Sequence, residues 1–354
     1  MNIILAGYIY AFLQVSRTFD LVNKNLSIFL VSFFIALFSC FLVLPDYFSY
    51  KEIYEASPAL SDIILSPFSS FVLMGLEPGY VIFNSLAKLL GIGYEYLRFL
   101  IIFFVVYTKL YVLSKISNNF IISSTAYLAL FIFMDLFILR QSIASAIIAL
   151  SVLYLYKQAS SKALFFLLLA PMFHVIALIA APIIFIYKYK FKTVFYISVI
   201  ILAMFVGYFG LASIVSQLFI GALGDGSFIG GKLARYAASE RAEATGVFRL
   251  STLSILALML FVILFMPRKH KDDNYFLILN LSLYAFLVLV LFNDFGILGD
   301  RGYRVIGFPL LAFFGYVTSL FAKKDRFFVT VLVSLVFFVL AIFFINPDYI
   351  SWKF

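Results

Sequence analysis

Charge is scarce in this chain. Only 12% of its 354 residues are Asp, Glu, Lys or Arg, against about a quarter in an ordinary soluble domain, so a water-soluble globular fold is excluded. Cysteine is nearly absent: Cys40, inside an apolar run, stands alone, which rules out an intramolecular disulfide and any cysteine-based metal site. The two histidines, His174 and His270, are too few for a histidine-rich metal site, and no H-E-x-x-H, Walker A or Rossmann fingerprint occurs. Neither a metal nor an organic cofactor is therefore expected. What fills the chain is apolar surface, with 65% hydrophobic residues, 46 Phe and 23 Tyr. No single core with a polar rind holds that content, and the expected class is an all-α polytopic membrane protein, one integral membrane domain over 1–354. A net charge of +9 would suggest nucleic acid in a soluble protein; here it is assigned to basic cytoplasmic loops, and no nucleic-acid partner is expected.

A spanning helix needs about 20 apolar residues for a ~30 Å core. Apolar runs lie at 3–15, 26–44, 96–114, 119–139, 140–156, 163–187, 193–211, 249–266, 274–295, 303–321 and 327–345. The first has no small-residue cleavage site and is expected to be a retained helix. Residues 75–90 are too short and interrupted to span and are expected to form an interfacial or re-entrant helix. Lysine-bearing loops at 16–25, 109–118, 157–162, 188–192, 268–273 and 323–326 fall on one side only if 163–187 is a hairpin broken near "APMFHV", where Pro171 removes a backbone donor. The expectation is about twelve crossings with both ends outside.

On this map 12 of the 16 lysines are cytoplasmic, but seven of the ten arginines are not: Arg98, Arg140, Arg235, Arg241, Arg249, Arg301 and Arg304. The positive-inside rule predicts the opposite. Arginine binds phosphate through a planar fork that stays charged at low dielectric, and ionisable groups near a bilayer are functional candidates by default. Any one of the seven could instead pair with a carboxylate or snorkel to headgroups. His174 lies at the expected outer turn, level with them; a hydrogen-bonded structural histidine is the competing reading. Two outer loops are long enough to build a site. The first, with its interfacial helix, occupies 45–95 and is acidic and tyrosine-rich, a composition suited to sugar stacking and equally to a membrane-interface belt. The second, 212–248, has glycines at 221, 224, 226, 230 and 231 and the stretch "KLARYAASERAEA", expected to be a mobile short helix carrying Arg235 and Arg241 that closes over an anionic substrate or is simply solvated.

"PDYFSY" after the second run, "LEPGYVIFNSL", "LRQSIASAIIALSVLYLY", "FH" before an apolar run and "GDRGYR" late in the chain resemble, over roughly 40–310, the EpsG-like and Wzy-type O-antigen and exopolysaccharide polymerases. The resemblance implies a GT-C-like fold in the bacterial inner membrane, with an active site facing the periplasm and undecaprenyl-diphosphate-linked glycans as substrates. It also implies a chain-length co-polymerase and a flippase as partners. The matching positions are Asp46, Tyr50, Glu77, Tyr80, Arg140, His174, Arg301 and Arg304.

The implied chemistry needs cations for the leaving diphosphate and a base for the acceptor hydroxyl. Arg140, Arg249, Arg301 and Arg304 are assigned to the diphosphate, with Arg235 and Arg241 as candidates from the mobile loop. Glu77 is the favoured base because "EPGY" sets a carboxylate at a helix start; Asp46 and Asp300 are rivals, and His174 is either base or phosphate donor. Tyr50, Tyr80 and Tyr303 are expected to contact sugar. Arg301 and Arg304 are expected on one face of a helix start, where backbone N–H groups add to anion binding, with Asp300 orienting them. Direct displacement would invert the donor anomeric centre without a metal. The competing classes are an O-antigen ligase, which differs in acceptor, a flippase or transporter, which should place arginines at midplane and show repeated halves, a sugar acyltransferase, and a scaffold.

Overall fold

The computed structural model describes residues 23–66, 75–210, 246–267, 270–293, 296–344 and 351–352. The run at 3–15 and the loop helix with Arg235 and Arg241 lie outside them. The chain forms two compact units, one from residues up to 178 together with those from 314 onward, the other from 179–313.

In the first unit, α1 (Lys24–Ser39) packs on α5 (Tyr94–Ile116). Between them the chain makes β1 (Leu42–Val43), then α2 (Tyr47–Ala56), α3 (Leu60–Leu65) and α4 (Pro78–Leu89). Thus the first long loop is folded over its described part, pinned to α4 by Ser85 Oγ on Pro58 O (2.7 Å) and by Lys88 Nζ on Ser57 O (2.6 Å). Proline at the first position favours the start of α4, where its missing N–H costs nothing. The helix stops at Gly91, whose φ of +67° a side chain would strain. α6 (Phe120–Leu130), α7 (Ile132–Phe137), α8 (Leu139–Tyr156) and α9 (Ser160–Leu169) follow, with α8 packed on both α5 and α9.

Closing this unit, α15 (Ala312–Thr318, the end of which belongs here) leads to α16 (Lys323–Phe344), which lies on α6. Asn119 Nδ2 donates to Thr330 Oγ1 (2.9 Å) along that seam, the kind of polar glue that joins helices in an apolar medium. β2 (Ser351–Trp352) pairs antiparallel with β1, Leu42 opposite Trp352.

The second unit is built on α13 (Asp273–Leu291). It is capped by Asp272 Oδ1 accepting from Tyr275 N (2.8 Å) and contacted by α10 (Ile183–Ile186), α11 (Thr193–Tyr208), α12 (Leu250–Phe265) and α14 (Gly296–Ile306). Asn280 of α13 receives the Tyr196 hydroxyl and donates to Ile186 O and Tyr189 O.

Among the described residues three helices are long and apolar enough to cross a membrane, α5, α8 and α13, alongside several shorter apolar ones. The break expected near "APMFHV" is present: α9 gives way to a 3-10 turn at Ala170–Met172, and a second 3-10 segment, Val175–Ala180, follows His174.

Three expectations fail. The run at 119–139 is not one helix but α6 and α7, separated at Phe131 (φ −119°). That at 303–321 is divided by a 3-10 turn at Phe308–Leu311 carrying Pro309; hydropathy alone does not see either break. Finally, 109–118 is not a loop, since α5 continues to Ile116 and Lys109 is 0% exposed within it.

Candidate functional site

Glu77 caps α4 in the first unit with its own backbone, while its side chain is spent elsewhere. It is 2% exposed. Oε2 accepts from Arg140 Nη1 at 2.6 Å, and Oε1 accepts the Val175 N–H at 3.2 Å. One carboxylate therefore ties together α4, the start of α8, where Arg140 is the second residue, and the broken segment after α9. Gly79 permits this closeness, because a Cβ there would lie 2.7 Å from Met172 O. Gly79→Ala is accordingly expected to destabilise the fold by about 1–3 kcal/mol through overpacking, read as a fall in melting temperature of the purified chain in detergent.

Arg140 also donates to the Tyr50 hydroxyl from α2, and its Nε is buried without a protein partner. Tyr50 meets Tyr80 edge-on, ring centroids 6.0 Å apart. Both are buried, so their rings are not open faces for stacking sugar. Burial raises both hydroxyl pKa values, Tyr50's being drawn back in part by Arg140 and pushed up further by the Asp46 charge. The pair stays neutral at working pH. Asp46, half-buried, begins α2 one turn before Tyr50.

His174 is buried beside Val175, and its Nδ1 accepts the Ile176 N–H at 3.2 Å. That bond settles the tautomer: the neutral ring carries its proton on Nε2.

In the second unit Arg249, which caps α12, grips both oxygens of Asp300 on α14 and donates from Nε to Thr252 Oγ1 at 3.1 Å. Asp300 thus orients Arg249, not Arg301 and Arg304 as expected. The "GDRGYR" motif lies within α14, which begins at Gly296, so Arg301 is mid-helix and Arg304 is in the last turn. Neither stands at a helix start, and Arg304 instead complements the negative C-terminal end.

The glycines explain the motif's spacing. A Cβ on Gly302 would meet Val288 Cγ1 at 2.7 Å, and one on Gly299 would meet Phe292 O at 3.0 Å, so this face presses on α13 while positions 301 and 304 share the roughly opposite face. Tyr303 is half-buried. The Arg249–Asp300 pair is partly exposed, so Arg249→Ala is expected to cost the fold no more than about 1 kcal/mol, within a few degrees of wild type on a melting curve.

Three charged residues, Arg98, Lys109 and Asp135, make buried contacts that the sequence reading did not assign. Arg98, assigned to the outer face, is 2% exposed in α5, donating from Nη1 to Leu42 O (2.9 Å) and lying over the Tyr47 ring at 5.1 Å; it anchors β1. Lys109 of α5 holds both oxygens of Asp135 on α7 at 2.7 Å, and the Tyr127 hydroxyl donates to the same carboxylate at 2.8 Å. The signal was present, a carboxylate in the apolar run "FMDLF" that hydropathy averaging hides. Among the described residues no group of three or more His, Cys, Asp or Glu is arranged to hold a metal.

With this geometry in view, the family model for the EpsG family matches residues 25–353. The chain belongs to the EpsG family. Membership, with the apolar helices, makes it a membrane protein of the polysaccharide-polymerase type, in a family associated with glycosyltransferase-like polymerases. Comparisons with curated proteins and with solved structures return no match.

Proposed function

We propose that this EpsG-family chain is an O-antigen or exopolysaccharide polymerase, joining undecaprenyl-diphosphate-linked repeat units at the periplasmic face of the bacterial inner membrane on a GT-C-like scaffold of about twelve crossings. The observation that carries the reading is Arg140: a guanidinium fixed by Glu77 and Tyr50 with its buried Nε left for a ligand. Fixed donors of this kind stabilise charge that develops on a leaving diphosphate without reorganising during the reaction.

In the proposed step an acceptor hydroxyl attacks the donor's anomeric carbon, the bond to diphosphate breaks with its electron pair going to the diphosphate oxygen, and the configuration inverts. Glu77 is then a positioning residue, since a carboxylate already accepting from an arginine and a backbone N–H is a poor base. His174, with its proton on Nε2, serves as a phosphate donor. The hydroxyl proton goes to Asp46, half-buried and one turn from Tyr50. For the second unit, taken by itself, Arg249, set by Asp300, Arg301 and Arg304 are assigned to anion binding, and Tyr303, with Arg235 and Arg241 of the 212–248 loop, to substrate recognition. Partners on this reading are a flippase that supplies repeat units and a co-polymerase that sets chain length.

The test is the polysaccharide ladder on a gel from a host lacking the chain, complemented with wild type or with Arg140→Ala, His174→Ala, Asp46→Asn, Arg301→Ala and Arg304→Ala at matched membrane levels. Variants that insert normally yet leave a single repeat unit support the site. Normal ladders from all of them would reduce these residues to interface anchors. Failure of repeat units to reach the periplasm would favour a flippase, and assembled polymer that is never attached to its final acceptor would favour a ligase.

A further inference from the structure

We propose that Asp135, clamped by Lys109 and Tyr127, is a positioning residue for Arg140, so that an ion pair buried between helices governs how firmly the chain holds a diphosphate it never touches. The inference rests on the reading above for what Arg140 binds. α7 has six residues, Ile132–Phe137, and only two of them, Ile132 and Asp135, are buried. Such a helix closes too few hydrogen bonds to persist alone; its place is set by what grips it.

The polar grip is Asp135, 6% exposed, with two bonds from Lys109 and one from Tyr127, both 0% exposed. These three residues sit on α5, α6 and α7, so the carboxylate is where three helices are pinned to one another. One turn on, Ile138 adopts φ −94°, ψ 67°, ending α7 and starting α8. Its N–H bonds back to Met134 O (3.0 Å) and its carbonyl receives Ser142 N (2.9 Å). Arg140 therefore follows a fixed backbone break five residues after the clamp. A slip of α7 on α5 would carry the guanidinium away from Glu77 and Tyr50, which are held by α4 and α2.

Stability alone does not explain two charges in this place. Desolvating them is costly, and an apolar pair of similar volume commonly replaces a buried ion pair without loss. What an ion pair adds over an apolar contact is a directional, single-register fit, the property needed five residues upstream of a guanidinium that must meet two partners.

The experiment compares the full purified chain in detergent with three variants: Lys109→Met/Asp135→Leu, which orphans no charge; Arg140→Lys; and the combination. Melting temperature, protection by added undecaprenyl diphosphate, and the ladder in complemented cells are read for each. The double replacement is expected to melt within a few degrees of wild type while apparent diphosphate affinity and ladder intensity fall about tenfold, as misplacement of a binding group produces. In the Arg140→Lys background it should add less than about twofold. If the double variant does not fold, Tyr127→Phe carries the same test with one hydroxyl removed and a smaller loss of affinity at unchanged melting temperature. Wild-type affinity and ladders from a well-folded double variant would reduce the pair to structural glue. A full tenfold loss persisting in the Arg140→Lys background would show that the pair acts by a route other than Arg140. Absence of any protection of wild type, with normal ladders from Arg140→Ala, would overturn the polymerase site itself and this inference with it.

Discussion

Arg140→Ala is expected to lower polymerisation by about 10²- to 10³-fold, the loss that follows removal of one preorganised donor to developing charge. The replacement also strands the buried Glu77 carboxylate without its ion-pair partner, so the loss of chemistry must be separated from loss of fold. Arg140→Ala combined with Glu77→Gln removes both charges, and it should recover membrane levels without recovering the ladder. Arg140→Lys keeps the charge but not the planar fork that reaches Glu77 and Tyr50 together, and its activity should fall between. Quantifying ladder length and intensity against immunoblotted protein distinguishes these outcomes. Full activity in Arg140→Ala would remove the arginine from the chemistry.

Glu77→Leu should have the largest effect on stability, about 3–5 kcal/mol, because it leaves the Arg140 guanidinium in a site closed to water on most sides and frees the Val175 N–H that holds the broken segment. The expected readout is a marked drop in melting temperature, or failure to accumulate in the membrane. Glu77→Leu with Arg140→Met should restore most of the stability while remaining inactive. If Glu77→Leu melted as wild type but lost activity alone, Glu77 would be the base after all and the positioning role assigned here would be wrong.

The parts of this molecule that were legible in its sequence are those governed by composition over long stretches. The all-helical membrane class followed from apolar content, α5, α8 and α13 from uninterrupted runs, and the break at residues 170–174 from Pro171 and the placement of lysines. The start of α4 followed from Pro78, and Glu77, Arg140 and Tyr50 were each named, though not as partners; spacing of 63 residues between the two ion-paired groups carries no signal of contact. Reasoning from charge location misjudged Lys109 and did not foresee the burial of Arg98, because the positive-inside rule sorts residues by side of the membrane and says nothing about a cation that finds a buried carbonyl or carboxylate. The helix containing "GDRGYR" begins at Gly296, ahead of the helix start expected at Arg301, and the fold uses Gly299 and Gly302 to bring α14 against α13, a close approach that apolar content does not register. Burial of Tyr50 and Tyr80 was likewise invisible: a tyrosine suits a sugar, an interface and a core equally well until its neighbours are known.

Whether this chain forms glycosidic bonds at the expense of a lipid diphosphate is measured with the purified chain in vesicles containing undecaprenyl-diphosphate-linked repeat units from its own host. The expected result is longer glycans with an inverted linkage at each junction, undecaprenyl diphosphate released in step with each new bond, and both lost together in Arg140→Ala. Movement of intact lipid-linked units across the bilayer with no diphosphate released would contradict it.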